Sequence, residues 1–248
     1  MVEPNRASAL KGGLTVESIH TAYGLSQVLF GISIRVDPGE CVALIGRNGV
    51  GKTTTMRSIM GLTPPRQGKV LWKGQDIARL PPYKICQLGI GFVPEERRIF
   101  PELSVWENLD IARRPAKAGK AGKAGWSEPE VFALFPDLEG IRDRRGGVLS
   151  GGQQQMLTIA RTLMGNPELL LLDEPSEGLA PLIVEQLRDK VAQLKATGLS
   201  IVLAEQNLEF VLSLADRVYI LEKGEVRYTG TPADLRANQD IVKQYLTV

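Results

Sequence analysis

The run Gly46-Arg47-Asn48-Gly49-Val50-Gly51-Lys52-Thr53 separates one glycine from Gly-Lys-Thr by four residues, an order suited to phosphate chemistry. Gly49 and Gly51 leave room for successive backbone N–H groups to turn inward as an anion nest. A helix beginning near Gly51 would point its positive end at the same anion. Lys52 would add a point charge for β- and γ-phosphates, and the Thr53 hydroxyl is placed to ligate Mg²⁺. With Gly46, Asn48 and Thr54 completing the loop, the spacing predicts a site for ATP and Mg²⁺.

Leu169 to Leu172 are an apolar run that ends in two acids, Asp173 and Glu174. Unpaired charge at a buried strand exit is costly, so this pair calls for a partner. Asp173 can hold Mg²⁺ through water. Glu174, one residue further, can accept a proton from an attacking water. The stretch Leu149-Ser150-Gly151-Gly152-Gln153 sets a serine and two glycines before another helical pattern, as at a phosphate-binding helix end. One γ-phosphate has no use for two cradles on the same face. Ser150, Gly151, Gly152 and Gln153 are therefore expected to serve the nucleotide of a second subunit, with a plain helix cap as the alternative.

These residues need a scaffold. The chain has 248 residues, 43% hydrophobic and 23% charged, with a net charge of +2. That suffices for one sizeable core, and the charge is too small to argue for nucleic acid. No stretch approaches the roughly 18–20 apolar residues that span a bilayer. Glu3, Pro4, Asn5 and Arg6 stand where a signal peptide would need an apolar run, so a cytosolic chain is expected. Cys41 and Cys86 lack metal or redox spacing and read as structural.

Short apolar runs alternate with helical patterns, as in an α/β sheet. Ile32, Ile34 and Val36 alternate with polar residues, predicting a strand with one exposed face. Cys41 to Ile45, Leu169 to Leu172, Ile201 to Ala204 and Val218 to Leu221 predict strands covered on both faces. Met156, Ile159, Ala160, Leu163 and Met164 predict the buried stripe of a helix. A single domain is expected over residues 1–248, with a helical subdomain at about 96–150 and a flexible tail at 1–11. Lys-Ala-Gly occurs three times from Lys117 to Gly125 and reads as a solvated loop.

The order of these motifs resembles the ATP-binding cassette family, the motor subunits of ABC transporters, from about Leu14 to Leu246. The resemblance implies an α/β P-loop NTPase (RecA-like) core with an antiparallel β subdomain and a small α-helical subdomain. It implies ATP hydrolysis coupled to transport by a head-to-tail dimer with two ATPs between its subunits. Each ATP would touch Lys52 of one subunit and Ser150 and Gly152 of the other. Tyr23 would stack on adenine, and Ser176 to Leu179 would form the loop crossing the interface.

Two positions depart from the common family pattern. Gly91-Phe92-Val93-Pro94 usually leads to a glutamine that reaches Mg²⁺ and the attacking water; here Glu95 follows. The strand Ile201 to Glu205 usually leads to a histidine that contacts the γ-phosphate; here Gln206 follows. An amide donates a hydrogen bond but cannot carry a proton as imidazole can. His20 lies in the expected first strand and reads as structural.

Val93-Pro94-Glu95-Glu96-Arg97-Arg98-Ile99-Phe100-Pro101, with Ala204-Glu205-Gln206-Asn207, resembles the shorter of the two ATPases of branched-chain amino acid importers. Arg145-Gly146-Gly147 and the tail at Val242 to Leu246 also fit, and importers for urea, short amides or aromatic acids share much of the pattern. The resemblance implies a second ATPase subunit of different sequence, two membrane permease subunits and, indirectly, a periplasmic or extracellular solute-binding protein. The chain would then sit on the inner face of the cell membrane. Ile99, Phe100, Pro101, Leu103, Val105 and Trp106 are expected to line an apolar groove for a short helix of a membrane subunit. The competing readings are a soluble cassette ATPase of the cluster-assembly kind and an ATPase for lipid or polysaccharide export.

Overall fold

The computed structural model describes residues 12–115, 125–238, 240 and 241. The expected tail at 1–11, residues 117–124 of the Lys-Ala-Gly run and the segment Val242 to Leu246 lie outside the described residues.

The chain opens with β1 (Leu14–Tyr23), β2 (Ser26–Val36) and β3 (Cys41–Ile45), followed by α1 (Lys52–Ile59). Next come β4 (Gln67–Trp72), β5 (Gln75–Asp76), α2 (Pro82–Gln87) and β6 (Ile90–Val93). Helices α3 (Val105–Asp110), α4 (Glu128–Leu134) and α5 (Pro136–Glu139) precede the longer α6 (Gly151–Leu163). The remainder runs β7 (Leu169–Asp173), α7 (Pro181–Ala196), β8 (Ser200–Glu205), α8 (Leu208–Leu214), β9 (Arg217–Glu222), β10 (Glu225–Gly230) and α9 (Pro232–Ala237).

Two sheets result. One is antiparallel with strand order β2-β1-β4-β5; the other runs β10-β9-β3-β8-β7-β6 and is parallel except where β10 meets β9. The continuous apolar runs explain the second sheet, because alternate residues of each central strand feed opposite faces. Ala43, Leu170, Leu172, Ile201 and Leu203 enter a core under α6 and α7, while Val42, Leu44, Leu169, Leu171 and Val202 enter a core shared with β1, β2 and α1. Both cores are apolar and close-packed. That rigidity fixes where the strands end, and β3, β6, β7 and β8 all end on one edge.

Two sequence expectations need correction. Val105 does not belong to an exposed patch: it begins α3, fully buried, because Ser104 and Glu107 form a capping box that turns the helix inward. Ile99 and Trp106 are half-buried against the main core or beside it, which leaves Phe100 as the exposed large residue of that group. In α6, Met156 is only partly buried; Leu157 fills the core beside Ile159, Ala160 and Leu163.

Asn108 organises the segment between β6 and α3. Its buried amide accepts from Phe100 N at 2.9 Å and donates to the carbonyls of Phe100 (3.0 Å), Leu103 (3.2 Å) and Ser104 (2.9 Å). Asn108→Ala leaves these backbone groups short of partners and is expected to cost about 2–4 kcal/mol. Urea unfolding measures the loss, and nucleotide affinity should stay close to wild type.

Candidate functional site

The site is assembled on the edge where the parallel strands end, the usual place for ligands in such sheets. β3 runs into Gly46, whose φ of +152° and closeness to the Leu221 carbonyl (2.5 Å from an added Cβ) admit glycine alone. Gly51 precedes α1 at φ +111°, and a Cβ there would meet Leu29 Cδ2 at 2.6 Å. The loop between them is a cradle that side chains would fill.

Lys52 is buried, with 3% of its surface exposed. Its ammonium donates to the carbonyls of Gly46 (2.7 Å) and Arg47 (3.1 Å) and lies 3.1 Å from Glu174 Oε1. Glu174 follows β7 with φ at +44°, a strained conformation for a side chain of this kind. Its backbone N–H donates to the Ala204 carbonyl at 2.9 Å, pinning the turn to β8. Gln206 donates from Nε2 to Glu174 Oε2 at 2.8 Å and to Asn48 Oδ1 at 2.6 Å. Lys52, Glu174, Gln206 and Asn48 therefore form one connected polar chain.

Asp173, at 1% exposure, accepts from the Thr53 hydroxyl at 3.0 Å. Burial pushes its pKa up to about 7; the Thr53 hydrogen bond opposes this, and the charges of Glu174 and Glu95 reinforce it. Burial also works to raise Glu174, but the Gln206 hydrogen bond and the Lys52 charge outweigh it and hold the carboxyl below its ordinary range. Glu177 moves the other way, raised by its hydrogen bond with Glu174 and by burial.

A cavity of about 390 Å³ opens here, lined by Asn48, Gly49, Gly51, Lys52, Thr53, Thr54, Glu95 and Glu174, together with Val28 and Glu177. The last two were not foreseen. Glu177 lies three residues past Glu174 in a turn, and nothing in its spacing marks it as a cavity residue. Among the described residues no three metal-ligating side chains cluster. Mg²⁺ accompanying a nucleotide takes one or two carboxylates plus phosphate oxygens, so Thr53, Asp173 and Glu95 are a fitting donor set.

Other expected residues stand apart from this cavity. Tyr23 ends β1, 44% exposed, and does not line it. Nor do Ser150, Gly151, Gly152 and Gln153. Ser150 Oγ accepts from Gln153 N at 3.3 Å and Gln153 Oε1 accepts from Ser150 N at 3.0 Å, so the helix cap is present in full. An added Cβ on Gly151 would meet Arg97 Nη1 at 2.9 Å, and one on Gly152 would meet Ile183 Cγ2 at 2.7 Å. His20 is tied to Gln27 at 3.0 Å, Cys41 is buried with its thiol pushed up to about 12, and Cys86 is half-buried.

The ABC transporter family matches residues 29–177 of this chain. The high-affinity branched-chain amino acid transport ATP-binding protein BraG of Pseudomonas aeruginosa is 40% identical over 235 residues, covering 94% of this chain and 99% of BraG. The lipopolysaccharide export system ATP-binding protein LptB of Haemophilus influenzae is 35% identical over 233 residues, covering 94% and 96% of the two chains. Among solved structures, a nucleotide-free ATP-binding cassette of an ABC transporter superposes with a TM-score of 0.78 at 28% identity, covering 93% of this chain and 97% of that one. The ADP conformation of the cassette MJ1267 gives a TM-score of 0.77, also at 28% identity and the same coverage.

The fold is that of an ABC ATPase. This chain belongs to the ABC transporter family, as a nucleotide-binding ATPase subunit of the kind that hydrolyses ATP to drive transport and works with membrane permease components. No helix of the described residues is long and apolar enough to cross a membrane.

Asp173 supplies a pH signature. Its folded pKa of about 7 lies above the ordinary 3.8, so the fold holds a proton that the unfolded chain releases between pH 4 and 7. The resulting penalty is absent below pH 4, grows through that window and is complete above pH 7. Asp173→Asn should accordingly stabilise the chain by about 4 kcal/mol at pH 8 and by almost nothing below about pH 4. Thermal unfolding across that range checks the sign.

Proposed function

We propose that this chain is an ATPase of an importer for branched-chain amino acids or related small solutes. It pairs with a second ATPase subunit of different sequence beneath two membrane permease subunits, on the cytoplasmic face of the membrane, with a solute-binding protein outside. Residues 1–248 form one nucleotide-binding unit in which about 96–150 is a helical subdomain. The exposed Phe100 marks the face that meets a membrane subunit.

In the proposed cycle the loop from Gly46 to Thr54 cradles the phosphates, and Tyr23 stacks on adenine. Thr53, Asp173 and Glu95 would hold Mg²⁺, which when bound would supply neutralisation of the phosphate charge. The incoming phosphate competes with Glu174 for Lys52. Once released, the Glu174 carboxylate is still oriented by Gln206, whose amide hydrogen bond favours the ionised form, and accepts a proton from the attacking water. Ser150, Gly151, Gly152 and Gln153 face the nucleotide of the partner subunit.

What carries the reading is Gln206. It bridges Asn48 and Glu174 at the place where the wider family puts a histidine, and it accompanies a full-length likeness to BraG. Two such chains together would lack that histidine at both sites, whereas a different partner can restore it at one. The likeness to LptB favours a second reading, a subunit for lipopolysaccharide export.

Tagging the chain in its native cell and purifying it from the membrane tests both. The expected complex contains a second, different cassette subunit and hydrolyses ATP faster than the isolated chain. Glu174→Gln should slow that turnover by roughly 10²- to 10⁴-fold and trap an ATP-bound dimer. Uptake of labelled leucine should fall with it. Intact uptake alongside blocked lipopolysaccharide export would select the second reading, and full activity from a homodimer would remove the heterodimer.

A further inference from the structure

Glu205 is the last residue of β8 and one of the most deeply buried acids in the described chain, at 2% exposure. No cation pairs with it among the described residues. Its oxygens are instead occupied by backbone N–H groups from two separate loops. Oε1 accepts from Ser176 N at 2.9 Å, while Oε2 accepts from Gln206 N at 3.0 Å and Asn207 N at 3.2 Å. Holding an unpaired carboxylate in the interior is expensive, and the three N–H groups are what offset it.

The loops so joined are the ones around the catalytic base. Ser176 lies two residues past Glu174, and Gln206 supplies the amide that holds Glu174 Oε2 and Asn48 Oδ1. A carboxylate suits this junction because both oxygens accept and neither donates. In a glutamine the same shape would turn an NH₂ toward N–H groups on one side or the other.

We infer that Glu205 is a positioning residue that locks the Ser176–Leu179 loop to the Gln206 turn and thereby sets the contact between Gln206 and Glu174. On the reading that Ser176–Leu179 meets the second subunit, Glu205 carries the arrival of that subunit to the base. Displacing Ser176 pulls on Oε1, and the same rigid carboxylate moves Gln206 through Oε2. The device lies behind the cavity rather than in it, since Glu205 does not line the nucleotide pocket. It acts on hydrolysis, not on nucleotide binding.

The test is a cycle of Glu205→Gln, Gln206→Ala and the double variant. Phosphate release and affinity for a non-hydrolysable Mg-ATP analogue are measured on the full chain, alone and with the subunits that co-purify with it. Glu205→Gln should lower kcat about tenfold or more with affinity within about twofold of wild type. The double variant should fall no further than Gln206→Ala, because one residue works through the other. Where Glu205→Gln does not fold, Glu205→Asp is read instead; it keeps the charge, reaches only one loop, and should show the same split. Wild-type kcat in a folded variant, losses that multiply in the double variant, or an affinity loss equal to the kcat loss each overturn the inference. The isolated chain gives the same cycle at lower turnover, so failure of the partner reading and failure of Glu205 are told apart.

Discussion

The ion pair between Lys52 and Glu174 is the constraint around which the site is organised. Two opposite charges lie 3.1 Å apart, both almost removed from water. Neither is cheap to bury alone, and together they leave the phosphate cradle neutral at its centre. A nucleotide entering this pocket offers Lys52 a more highly charged partner than Glu174. On the proposed reading, binding and arming are a single exchange: the phosphate would take the ammonium, and the carboxylate would be set free while Gln206 keeps its orientation.

That exchange requires three strand ends at fixed spacing. β8 lies between β3 and β7, with Ile45 beside Glu205 and Ala204 beside Asp173. The loop carrying Lys52, the turn carrying Gln206 and the turn carrying Glu174 are therefore neighbours by strand pairing rather than by flexible reach. Close-packed apolar cores on both sheet faces prevent the strands from sliding. The left-handed backbone at Glu174 is affordable because the Ala204 carbonyl and Glu205 hold the turn from outside.

The scaffold was largely legible in the sequence because its strands are continuous apolar runs, and a run such as Leu169 to Leu172 has few other uses. Gly49, Gly51, Lys52 and Thr53 stood out because phosphate binding would restrict residue type at each position, and the fold brings them to one cavity. Val105 was misplaced because its burial depends on the helix phase set by Ser104 and Glu107, which no apolar count records. Glu177 and Glu205 were passed over for a related reason. Nothing in the spacing of either acid records which N–H groups or carboxylates it meets, and only the fold shows them.

The exchange at Lys52 is most directly tested by titrating a non-hydrolysable Mg-ATP analogue into the isolated, monomeric chain and into its Glu174→Gln variant by calorimetry. If the phosphate must displace the Glu174 carboxylate from Lys52, removing that charge should tighten binding by about tenfold, or about 1.4 kcal/mol. Equal or weaker binding by the variant would contradict competition between Glu174 and the phosphate for Lys52.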